Sequence, residues 1–179
     1  MAIHEVDFMG EASGITLELW WAGEADLDLH LAHELAVGQD LDGDAAFDGW
    51  FDKPFDVFWA NPNPNWGALD AASSDGDPLL LFDDYDGFGP ERIALKSPEE
   101  GRVYRVAVHH WDAHESGPAN LWLRVWFEGV LVHERFHQAL AEDTLLDLGS
   151  LSAEGAWLTT PEEEALLFGV RKPVQAKSL

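Results

Sequence analysis

Cysteine is missing from all 179 residues. Disulfides, thiolate nucleophiles, Cys-ligated zinc and iron–sulfur clusters are therefore excluded together. Basic residues are scarce: Lys and Arg number 10 against 34 Asp and Glu, a formal charge of -24 at pH 7. A field of that sign repels phosphate and speaks against nucleic acid or an anionic membrane as partner. No apolar run approaches the ~18–20 residues that span a bilayer. The opening residues, Met1 to Asp7, carry no basic n-region and no apolar h-region, which predicts a cytoplasmic protein or export by a non-classical route. Aromatic residues, by contrast, are plentiful. Nine Trp, ten Phe and a hydrophobic share of 46% can bury a real core, so the chain is read as folded despite its charge.

The carboxylates cluster rather than spread. One group is Asp26, Asp28 and the neighbouring His30; a second is Asp40, Asp42, Asp44 and Asp48; a third is Asp83, Asp84, Asp86 and Glu91. Like charges packed this closely repel unless a cation offsets them. Calcium suits such groups, because it takes about 6–8 oxygen ligands from carboxylates, side-chain amides and backbone carbonyls.

Short segments with period-2 alternation place these groups on a β framework. Ile15 to Trp21 alternates apolar and polar. Next, Leu27, Leu29 and Leu31 interleave with Asp26, Asp28 and His30. On a strand the leucines face a core and the three polar groups share the other face, where two carboxylates can bracket one cation. Residues 32 to 56 read as irregular. A stiff Asn/Pro turn follows at Asn61 to Asn65, and its amide oxygens could complete a metal shell. Leu79 to Phe82 runs as a buried strand into Asp83, Asp84 and Asp86, with Gly87 and Gly89 free to wrap backbone around an ion. Strands are also predicted at Glu91–Leu95, Val103–His110, Asn120–Glu128 and Val130–Phe136, and one helix at Pro161 to Phe168. The expected fold is all-β: an antiparallel, jelly-roll-like sandwich over residues 15–160, with long acidic loops. An N-terminal extension covers 1–14, and a C-terminal one, with the short helix, covers 161–179.

Three further patterns bear on function. Asp40, Asp42, Asp44 and Asp48 fall at positions 1, 3, 5 and 9 of an EF-hand-like loop, but Ala45 stands where Gly is needed and Phe51 where Glu is needed. This reads as a solvated loop, with a second calcium site as the weaker alternative. His133, Glu134 and His137 match H-E-x-x-H, which binds zinc when a helix brings both imidazoles to one turn. A strand separates them by ~13 Å. The strand context makes this a decoy, and a metalloenzyme the minority reading. His109, His110 and His114 form a third candidate metal group, read as a strand end plus a surface loop. Trp122 and Trp126 point outward beside Arg124 and form a candidate platform for a sugar or a protein partner.

Taken in order, Ala25–Leu31, Trp50–Asp56, Trp59–Gly67, Phe82–Ile93 and Tyr104–Trp111 resemble the YfaP-like bacterial domains of unknown function. The likeness covers about Ile15 to Phe136. A fainter one is to the calcium-binding tellurium-resistance (TerD-like) domains. The resemblance implies a β-sandwich with calcium held by Asp26, Asp28, Asn61, Asn63, Asp83, Asp84 and Asp86, in a family without an established activity. Val57 stands where relatives often carry Cys, and Leu81 where they often carry another Asp. The expectation is a non-enzymatic, Ca²⁺-binding module with a structural or protein-interaction role, self-association included. A carbohydrate-binding module using Trp122 and Trp126 is the first alternative.

Overall fold

Alternation becomes strand wherever the sequence carries it. The structure, a computed structural model, describes residues 13–66, 74–158 and 166–168, the last three by backbone alone. Its strands are β1 (Ile15–Ala22), β2 (Asp26–His33), β3 (Asp56–Val57), β4 (Leu79–Phe82), β5 (Glu91–Leu95), β6 (Val103–Asp112), β7 (Ala119–Phe127), β8 (Val130–Leu140), β9 (Thr144–Ser152), β10 (Trp157–Leu158) and β11 (Leu166–Phe168). All pairings are antiparallel. One sheet runs β4-β5-β1-β7-β8. The other runs β10-β9-β6-β2-β3, with β11 also paired to β9. The fold is an all-β sandwich. Among the described residues no helix is long and apolar enough to cross a membrane.

The helix expected at Pro161 to Phe168 does not form where it is described. Leu166, Leu167 and Phe168 pair antiparallel with Leu146, Leu145 and Thr144 of β9. A three-residue apolar run gains more from an open strand edge than from a helix too short to nucleate. Residues 161–165 lie outside the described residues.

The inward faces build one core: Ile15, Leu17 and Leu19 of β1, Leu27, Leu29 and Leu31 of β2, and Leu121, Leu123 and Val125 of β7 are all fully buried. A second apolar cluster lies on the opposite face of the six-stranded sheet. There Ala32, Ala107 and Leu145 meet Leu41, Trp50, Phe51 and Phe58, because the connection between β2 and β3 folds back over that face. This is why every residue of β2 is buried, although its sequence alternates apolar with polar.

Several polar contacts fasten the cover. Arg105 of β6 donates to the Asp48 carbonyl at 2.8 Å and to Asp147 at 2.6 Å, with its guanidinium 4.4 Å from the centre of the Trp50 ring. Asp56 Oδ2 accepts from the Phe51 N–H at 2.7 Å and from His30 Nδ1 at 2.8 Å. Burial holds the Asp56 carboxyl above its usual range, and His30 opposes that shift.

Candidate functional site

At the end of the sandwich where β1 turns into β2, three carboxylates converge. Asp28 projects from the covered face of β2, and Glu91 opens β5 across the sandwich. Asp83 follows β4. One carboxylate oxygen from each lies within 4.8 Å of the other two. Asp28 and Glu91 are buried, at 0% and 1% exposure, while Asp83 is exposed. Glu91 Oε2 accepts the Leu29 N–H at 2.6 Å, which ties β5 of one sheet to β2 of the other. The imidazole of His109, paired beside Asp28 on β6, has Nδ1 3.6 Å from Asp28 Oδ2 and its ring edge-on to Phe51 and Trp111.

Backbone geometry explains how a surface loop reaches a buried strand. Gly87 sits at φ +114°, and a Cβ there would fall 2.7 Å from the Glu24 Cα. Only glycine lets the loop after β4 press against the turn between β1 and β2. The Phe88 N–H then donates to the Gly23 carbonyl at 3.1 Å, which fixes the loop and with it Asp83.

Of the seven ligands implied by the resemblance, Asp28 and Asp83 belong to this cluster. Asp26 is buried on β2 but stands outside it. Asp84 and Asp86 lie further along the loop. Asp84 Oδ1 accepts the Asp86 N–H at 3.2 Å; partial burial and the Asp86 carboxylate hold the Asp84 carboxyl above its usual range. Asn61 stands outside this cluster, and its Nδ2 donates to the Lys53 carbonyl and, at 2.7 Å, to that of Asp56. Asn63 is exposed. Glu91 is the member that sequence reasoning misses. It closes the third acidic group but reads as the first residue of a strand, so it is not among the ligands that the resemblance implies.

The second acidic group also gathers, with oxygens of Asp40, Asp42 and Asp48 within 4.8 Å of one another. These carboxylates serve the loop's own backbone. Asp40 accepts from Gly43 and Ala45, Asp42 from Asp44, Asp44 from Ala46 and Asp48 from Leu41, as short Asx turns do. Burial and the three neighbouring aspartates hold the Asp48 carboxyl above its usual range.

The histidine patterns separate. His133 and His137 lie on β8, opposite Val125 and Leu121, at strand spacing of ~13 Å. His133 stacks on Trp157 with ring centroids 4.0 Å apart, and Glu134 accepts from Arg124. His109 lies under the cover. His110 Nδ1 meets the Leu140 carbonyl at 2.9 Å, and His114 Nδ1 the Glu24 carbonyl at 2.8 Å. Trp122 and Trp126 do project from the outward face of the five-stranded sheet, Trp122 at 38% exposure.

No family model matches the chain, and no curated protein does. A crystal structure described as the unknown-function protein SAV2460 is similar over 90% of this chain and 93% of its own, at 20% identity and a TM-score of 0.47.

Proposed function

We propose that this protein is a calcium-binding β-sandwich module, non-enzymatic, with a structural or protein-interaction role. The observation that carries the reading is the convergence of Asp28, Asp83 and Glu91, two of them buried. Bringing two carboxylates out of water beside a third is strongly unfavourable unless positive charge offsets it. A bound cation would offset that charge. Oxygens on opposite sides of a calcium ion stand about 5 Å apart, twice the bond length of about 2.3–2.6 Å. One oxygen from each group lies within 4.8 Å of the others, inside that limit. Loop carbonyls and water would fill the remaining positions.

In this reading the ion joins both sheets and the loop after β4, so that folding and partner binding become linked to calcium concentration. The resemblance to YfaP-like and TerD-like domains agrees with it. Thermal unfolding tests it. Millimolar CaCl₂ should raise Tm beyond NaCl of equal ionic strength, a chelator should reverse the rise, and Glu91→Gln should abolish it. An equal rise with NaCl contradicts the reading.

A further inference from the structure

The outward face of the five-stranded sheet is ordered in rows that run across the strands. In the first row Trp20 of β1 stands opposite Trp122 of β7, which stands opposite Phe136 of β8. In the second, Arg92, Glu18, Arg124 and Glu134 follow one another from β5 to β8. A third holds Thr16, Trp126 and Leu131. Trp122 is 38% exposed, Leu131 41% and Phe136 50%. The rings of Trp122 and Phe136 lie 5.0 Å apart, tilted by 38°. Arg124 reaches over the Trp20 ring at 5.2 Å. With strands ~4.8 Å apart, the aromatic row makes a strip about 10 Å long between its outer Cα atoms.

The charges of the second row are matched. Arg92 Nε donates to Glu18 at 2.7 Å, and Arg124 Nε donates to Glu134 at 2.8 Å. Two cations balance two anions, so this patch is neutral on a chain of formal charge -24. An anionic ligand gains nothing here and is repelled by the whole molecule. A cationic one is drawn to the aspartate loops instead. A second copy of the chain brings the same large negative charge, and long-range repulsion opposes that encounter. What the face offers is the exposed pair Trp122 and Phe136, with Thr16 and Glu18 of β1 buried beside it, next to guanidinium and carboxylate groups that can donate to and accept from hydroxyls. It is no concave pocket of the kind that encloses a small molecule.

We propose that this face binds a neutral, flat, extended polysaccharide. The C–H faces of its sugar rings stack on Trp122 and Phe136, and its hydroxyls bond to Arg124 and Glu134. Arg92 follows Glu91 in β5, but successive side chains of a strand point to opposite faces, so this face is tested apart from calcium.

Tryptophan fluorescence titration and affinity electrophoresis with cellohexaose, xylohexaose and mannohexaose test it. At least one should give a saturable change below about 1 mM. Trp122→Ala and Phe136→Ala should each weaken that binding by about tenfold or more, and Trp122→Phe, which keeps a ring, should restore most of it. Asp28→Asn should leave it unchanged. Circular dichroism establishes that each variant is folded. The proposal is overturned by the absence of a saturable change with all three sugars, or by binding that Trp122→Ala leaves intact. Sedimentation showing a dimer that Trp122→Ala dissociates would assign the face to self-association instead.

Discussion

Asp56→Ala removes the pivot on which the cover of the six-stranded sheet turns. One carboxylate oxygen accepts both the Phe51 N–H at 2.7 Å and His30 Nδ1 at 2.8 Å, and both side chains of the Asp56–His30 pair are fully buried. Alanine leaves two buried donors without their acceptor, at about 1–3 kcal/mol each. Breaking a buried, charge-assisted pair by deleting one partner typically costs about 3–5 kcal/mol in all. That is a large part of the about 5–15 kcal/mol that holds most domains. Asp56→Asn keeps an acceptor oxygen and the side-chain volume, so its loss should be near 1–2 kcal/mol, the difference between charged and neutral hydrogen bonds. Urea unfolding followed by tryptophan emission measures both, and Trp50 reports locally on the cover. A loss below about 1 kcal/mol for Asp56→Ala would refute the assignment of this carboxylate as the anchor of the loop.

Two other perturbations have definite outcomes. Burial and the nearby Arg135 hold the His133 imidazole below its usual value of 6.5. The native state therefore resists protonation that the unfolded chain accepts, so this contribution to stability is present above pH 6.5 and lost as pH falls below it. His133→Phe keeps the stack on Trp157 and removes the proton site; its Tm should fall less than that of the parent between pH 7.5 and pH 5.5, and equal slopes would contradict the assignment. Gly87→Ala strains a left-handed turn that presses on the Glu24 backbone. It should lower Tm in chelator and, by displacing Asp83, also shrink the calcium-linked rise; thermal unfolding in both conditions checks this, and an undiminished rise would contradict it.

How much of this is legible beforehand depends on which interactions are local. The alternation of Asp26 to Leu31 predicts that Asp28 and His30 share a face, and they do, because strand geometry needs no long-range information. The sequence of β8 likewise predicts a strand through His133, Glu134 and His137, and β8 forms there. The irregular stretch after β2 carries no period, so nothing in it announces that Trp50, Phe51 and Phe58 close over β2 and bury its polar face. Glu91 is hidden for a similar reason. Its role arises from the approach of β5 to the edge of β2, 62 residues away in sequence. The helix expected near the C-terminus fails through the same blindness to pairing, since only the open edge of β9 makes Leu166–Phe168 a strand.

The central claim is a calcium ion held by Asp28, Asp83 and Glu91, and isothermal titration of the chelator-treated protein addresses it most directly. The account predicts saturable calcium binding that includes one site lost in both Asp28→Asn and Glu91→Gln, each checked for native circular dichroism, while Asp42→Asn retains it. Calcium heats that match those of magnesium, or a full complement of sites surviving in Asp28→Asn and Glu91→Gln, would contradict it.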